Sequence, residues 1–254
     1  MTMPLFGGRT TPALDLLGRV AEALGPLVDR VVFIGGAIAP LLQTHPVSPR
    51  VRPTKDVDGV AITTTYLEFH TLQEQLRARG FVQRAMEADT SRHAHRWTTP
   101  TGILFDLVPA GTHLGGSGSP LDQVAVDTAV AIALHTSNRA AMVIRHADAP
   151  TFLALKWAAF EDRGGGDLLG SHDVEDILAV VASRPSLPSE CASAPERVQT
   201  VLRAMASTLM ASEDTLGEVL QAHVVVDHGH DQSQVHLFAR DHLRLLAALR
   251  NFRV

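Results

Sequence analysis

The chain has 254 residues, 45% of them hydrophobic, with a formal net charge of −5 when histidine is neutral. Mean hydropathy is +0.09, which excludes a disordered chain, whose mark is low hydrophobicity with high net charge. The acidic balance leaves no global basic field for nucleic acid, so a polyanion would need a local patch. Aromatic content of 5% is too sparse for a base-stacking platform. The length suits one large or two modest domains. No run reaches the roughly 18–20 apolar residues of a membrane helix, and residues 1–12 carry no positively charged apolar leader. The single cysteine, Cys191, excludes an internal disulfide and suits a reducing cytoplasm.

Leu14, Leu17, Val20, Leu24 and Leu27 fall at helical spacing and predict an amphipathic helix over 12–29. Val31-Val32-Phe33-Ile34 is a short buried strand, interrupted by Gly35-Gly36, after which 37–43 reads as a helix start. Three prolines make 45–53 an irregular loop. A second strand follows at 57–62, then a helix over 66–79 with Leu67, Leu72 and Leu76 along one side, stopped by Gly80. Residues 81–86 and 94–98 read as strands of a meander, and 103–108 as a stronger strand ended by Pro109. The Gly/Ser-rich run 111–120 reads as a loop, and 141–145 as a further strand. From Pro150 the pattern turns helical, over 151–162, 171–183, 195–210, 216–223 and 239–251. Strands mixed with helices, then helices alone, predict an α/β (α+β) domain at 1–149 and a helical C-terminal domain at 150–254.

The most informative feature is Asp56-Val57-Asp58. Carboxylates at i and i+2 of a strand share a face, with their Cα atoms roughly 6–7 Å apart. Like charges held that close repel, and a divalent cation between them relieves the repulsion. Asp106 is a lone acid in the apolar run Ile103-Leu104-Phe105-Asp106-Leu107-Val108, where an unpaired charge is costly. If its strand neighbours that of Asp56, three carboxylates converge into a hard-oxygen site suited to Mg²⁺. Gly35 and Gly36 let a phosphate approach the backbone at a helix start. Arg52, Thr54 and Lys55 stand just before the acids. Each feature has a plainer reading alone: a solvent-facing strand end, an ordinary turn, a lysine snorkelling from an apolar helix at Lys156.

The combination Gly35-Gly36, Arg52-x-Thr54-x-Asp56-Val57-Asp58 and Phe105-Asp106-Leu107 resembles the DNA-polymerase-β-type nucleotidyltransferase superfamily. Arg145 to Pro150, followed by Lys156, Arg163, Asp173 and Asp176, is similar to the AbiEii/AbiGii-type toxin nucleotidyltransferases. The resemblance implies a polymerase-β-like domain with a mixed sheet and transfer of a nucleoside monophosphate from an NTP to a hydroxyl, with release of pyrophosphate. It implies Asp56, Asp58 and Asp106 as catalytic metal ligands for two Mg²⁺ ions. Gly35, Gly36, Arg52, Thr54, Lys55 and Lys156 would contact the nucleotide, ATP among the candidates. The implied partners are an acceptor on tRNA, protein or a small molecule and a cognate antitoxin, with no membrane. An antibiotic-modifying transferase and a non-catalytic nucleotide-binding module remain as alternatives.

Outside this constellation, Asp173, Glu175 and Asp176 follow Ser171, a good N-cap, and suit a helix N-terminus. Arg163-Gly164-Gly165-Gly166 reads as a flexible loop. His93 with His95, and His223 with Asp227, His228 and His230, are too few or too loosely grouped for a zinc site. Arg50, Arg52, Lys55, Arg77, Arg79 and Arg84 form a candidate basic patch, and Cys191 lies in a Ser/Pro/Ala-rich stretch with no assigned role.

Overall fold

Val31-Val32-Phe33-Ile34 is apolar, β-branched and too short for a helix, so it buries itself only as a strand flanked on both edges. In the computed structural model, which describes residues 11–83, 95–110, 119–134, 141–163 and 165–249, this strand is β1 (Val31–Ile34), near the middle of a seven-stranded sheet. The other strands are β2 (Asp56–Ala61), β3 (Val82–Gln83), β4 (Arg96–Thr98), β5 (Leu104–Pro109), β6 (Val130–Leu134) and β7 (Met142–His146). Their order is β3-β4-β5-β2-β1-β7-β6. The β2–β5 and β1–β7 pairs run parallel and the rest antiparallel, so the sheet is mixed and the class is α/β.

Alternation along β5 decides what each face carries. Phe105, Leu107 and Pro109 are buried, while Leu104, Asp106 and Val108 are half-buried. Phe105 packs against Phe33 and Phe81 at ring distances of 6.5 and 6.2 Å. Each such side chain contributes about 1.5–3 kcal/mol by leaving water. Asp106 therefore lies on the polar face and not in the core that its apolar neighbours suggest.

Chain punctuation accounts for where the elements differ from expectation. The opening helix α1 (Pro12–Leu24) is capped by Thr11 and stops at Gly25, whose φ of 53° no helix accommodates; 25–30 is a 3-10 turn. After Gly35 the chain makes a 3-10 turn and a single α-turn, α2 (Ala39–Leu42). Helix α3 (Tyr66–Ala78) opens on a Thr65/Glu68 capping box and buries Phe69, Leu72 and Leu76, leaving the expected core residue Leu67 exposed. Helix α4 (Pro120–Asp127), capped by Ser119, and strand β6 were not anticipated. Most of the expected loop at 111–120, and part of the expected strands at 81–86 and 94–98, lie outside the described residues.

The contact pattern divides the chain into two compact units, Met1–Pro40 with Pro53–Asp148, and Leu41–Arg52 with Ala149–Val254. The proline-rich stretch thus belongs with the C-terminal helices. In that second unit, Thr44 and His45 donate backbone N–H groups to the Ser183 carbonyl, and Arg184 bonds the Leu42 carbonyl. Its helices are α5 (Ala149–Arg163), α6 (His172–Val181), α7 (Leu187–Ala192), α8 (Glu196–Leu209), α9 (Glu213–His223) and α10 (Gln232–Ala247). Helix α7 replaces the expected irregular stretch: Leu187 and Cys191, four apart, are both fully buried, so Cys191 is a core residue. Helix α10 begins before residue 239 because the Asp231 carboxylate accepts from the Ser233 and Gln234 N–H groups. No helix among the described residues is long and apolar enough to cross a membrane.

Candidate active site

Strand register gathers the acids. β2 puts Asp56 and Asp58 on its half-buried face with Val57 buried between them. The parallel β2–β5 register sets Asp58 beside Asp106, and the antiparallel β1–β2 register sets it beside Ile34. Just past Ile34, Gly35 adopts φ 71°, and a Cβ there would overlap the Asp58 carboxylate. The glycine is thus required twice, by its backbone angle and by the acid lying against it. Gly35→Ala is expected to cost about 1–3 kcal/mol and to push the Asp58 carboxylate aside, which denaturant unfolding and a structure of the variant would register.

The sequence reading missed Arg96, a cation bonded to this face. Its Nε and Nη2 donate to Asp106 Oδ1 and Oδ2 at 2.8 and 2.6 Å, and Nη2 also lies 3.4 Å from Asp56 Oδ2. The hydrogen bond to Asp106, with the fields of Asp106, Asp56 and Asp58, holds the guanidinium above its ordinary pKa against the effect of burial. The signal was present in the alternation: Trp97 is fully buried, which turns Arg96 to the opposite face, directly across from Asp106. Thr54 completes the cluster, its hydroxyl donating to Asp56 Oδ1 at 3.1 Å. Lys55 is exposed beside it.

Three carboxylates supply hard oxygen donors of the kind Mg²⁺ prefers, and a positive charge already stands among them. The donor set therefore suits a hard divalent cation. Among the described residues no group of three or more His, Cys, Asp or Glu side chains is placed to hold a metal ion; Arg96 instead bonds Asp106 and reaches Asp56.

The second unit holds a separate ionic cluster. Lys156 Nζ lies 3.0 Å from Asp173 Oδ1 and 2.6 Å from Asp176 Oδ2, and the lysine is 7% exposed. Burial pushes its pKa down, but Asp176 and Asp173 more than offset this and raise it. Burial likewise pushes Asp173 up, and Lys156 and Arg163 bring it below its usual value. Arg52 Nε stands 3.5 Å from Asp176 Oδ1. Lys156 therefore does not snorkel to solvent, and both it and Arg52 face carboxylates of their own unit. Asp173 and Asp176 point into this cluster, while Glu175 lies near His172.

The remaining candidates have local contacts. His95 packs edge-on to Phe69, and its proposed companion His93 lies outside the described residues, as do Arg84 and Gly164. His223 bonds the Leu168 carbonyl, and Asp227 pairs with Arg50. Arg77 covers the Trp97 ring and Arg79 bonds the Ala23 carbonyl.

No family model matches the chain, and no curated protein matches it. Among solved structures, it is similar to an antigenic nucleotidyltransferase-like protein from Paracoccidioides brasiliensis, 18% identical with a TM-score of 0.49, over 83% of this chain and 94% of that one. It is also similar to JHP933 from Helicobacter pylori, 13% identical with a TM-score of 0.45, over 95% of this chain and 94% of that one.

Proposed function

We propose that this protein is a Mg²⁺-dependent nucleotidyltransferase that moves a nucleoside monophosphate from an NTP to a hydroxyl acceptor. The observation that carries the reading is the placement of Asp56, Asp58 and Asp106 on one sheet face, with the Gly35 turn closed against Asp58. Asp56, Asp58 and Asp106 would hold the Mg²⁺ ions. When bound, the ions neutralise triphosphate charge and lower the pKa of the acceptor hydroxyl. The Gly35-Gly36 backbone admits the β- and γ-phosphates, with Lys55 adding positive charge beside them. Thr54 fixes the orientation of the Asp56 carboxylate. The acceptor oxygen forms a bond to the α-phosphorus, and the bond to the β-phosphate bridging oxygen breaks, so that pyrophosphate leaves with the electron pair. Asp106 takes the hydroxyl proton and passes it to solvent. Positioning and charge neutralisation account for most of the rate.

The resemblance to AbiEii/AbiGii-type enzymes supports the finer reading, a toxin restrained by a cognate antitoxin and acting in the cytoplasm on tRNA or protein. Incubating the protein with Mg²⁺ and each α-labelled NTP, first with total tRNA and then alone, tests this against an Asp56→Ala control. Label on tRNA or on protein that vanishes in the control is the expected result. Label only on an added antibiotic would replace the toxin with a drug-modifying enzyme. Nucleotide binding with no product under any acceptor would leave a non-catalytic module.

A further inference from the structure

We propose that Arg96 is a built-in counter-cation of this site, competing with the divalent metal for Asp106 so that metal loading requires the guanidinium to leave. The inference rests on the nucleotidyl-transfer reading and adds a control step to it. Both Asp106 oxygens are engaged by Arg96, through Nε at 2.8 Å and Nη2 at 2.6 Å. A carboxylate gripped in this two-pronged way has its best lone pairs occupied, and its negative charge is already neutralised. The same guanidinium reaches over β5 to Asp56 Oδ2, 3.4 Å away, so it spans two of the three proposed ligands. A metal ion bridging those carboxylates would occupy the volume and the field that Arg96 now fills.

The arrangement is specified by the backbone. The β4–β5 register sets Arg96 opposite Asp106, and buried Trp97 fixes which way Arg96 turns. Its side chain is 24% exposed, against 25% for Asp106. The pair thus sits at the solvent boundary, where a long side chain can swing out without crossing packed core. Once released, the guanidinium stands beside the position of the triphosphate and matches phosphate oxygens in the fork geometry it used on Asp106. Part of the acids' charge is thereby compensated before metal and nucleotide arrive.

Competition of this kind lowers apparent metal affinity by the fraction of molecules in which Asp106 is free. The test is Mn²⁺ binding to the intact chain without nucleotide, read from the electron paramagnetic resonance of the free ion. Arg96→Gln is expected to bind Mn²⁺ about tenfold more tightly than wild type. Arg96→Lys, which keeps the charge but loses the fork, is expected to fall between them. Thermal melting supplies a second readout: in EDTA the Arg96→Gln protein melts below wild type, because three acids have lost their counter-charge, and Mn²⁺ restores it. Unchanged or weaker Mn²⁺ binding by Arg96→Gln, with binding still abolished by Asp58→Asn, overturns the competition and leaves the metal reading standing. Absence of Mn²⁺ binding in wild type and Arg96→Gln alike, or binding indifferent to Asp58→Asn, overturns both.

Discussion

Replacing Lys156 with methionine is expected to destabilise the second unit by about 3–5 kcal/mol, the cost of leaving buried charges without their partner. Asp173 and Asp176 would then face each other across a nearly dry space, with Asp176 only 1% exposed. Arg52 at 3.5 Å and the exposed Arg163 cannot replace an ammonium bonded to both acids. The triple variant Lys156→Met, Asp173→Asn, Asp176→Asn should recover much of the loss, since it removes the like charges together with the cation. Urea unfolding followed through Trp157, on the same helix as Lys156, in a Trp97→Phe background takes the tryptophan signal from this unit.

The same cluster sets a pH dependence. Asp173 titrates below its usual value, so its contribution is in place above about pH 3.8 and is lost as pH falls through the lowered value. Lys156 titrates above 10.5, so its contribution is in place below that pH and is lost as pH rises through the raised value. Wild-type stability should therefore hold a plateau between acidic and alkaline limbs, and Lys156→Met should abolish the alkaline limb.

Asp106→Asn is expected to reduce nucleotidyl transfer on the order of a thousandfold, the upper range for losing one well-placed electrostatic group. Asparagine preserves the shape but can neither take the acceptor proton nor supply anionic charge to a metal. It also leaves Arg96 without the acid it grips in two places. Because Asp106 is only partly buried, the melting temperature should move by little more than surface changes do. Single-turnover transfer measured with the melting curve separates the two effects. Transfer within tenfold of wild type in a folded Asp106→Asn protein would remove Asp106 from the mechanism.

The first half of the site was legible because its information is local. Alternation in Asp56-Val57-Asp58 assigns the faces, and a Gly-Gly pair after an apolar strand marks a turn needing positive φ. Arg96 escaped because its meaning depends on a cross-strand register that no short window contains; only buried Trp97 hinted at its direction. Lys156 was more open to reading than it looked. It lies in the i, i+4 row of Phe152 and Phe160, both buried, and such a row predicts a buried lysine needing acids. Those acids, Asp173 and Asp176, are three apart on the next helix. Strand β6 and helix α7 gave no period to follow: the first is a five-residue apolar run and the second is six residues long within a Ser/Pro/Ala-rich stretch.

The assignment of Leu41–Arg52 to the second unit has a consequence for the order of events on the ribosome. Leu41 and Leu42 are buried at 3% and 1% exposure, and Thr44 and His45 bond to Ser183, far downstream. When this stretch emerges, the helices that receive it do not yet exist. At translation rates of about 5–20 residues per second, it waits roughly 5–20 s before α5 begins to appear. Any assembly of the first unit that precedes the C-terminal helices therefore proceeds with this apolar stretch unsatisfied. A gene cut at residue 149 would deliver both halves incomplete, the first carrying an orphaned apolar segment and the second lacking part of its core.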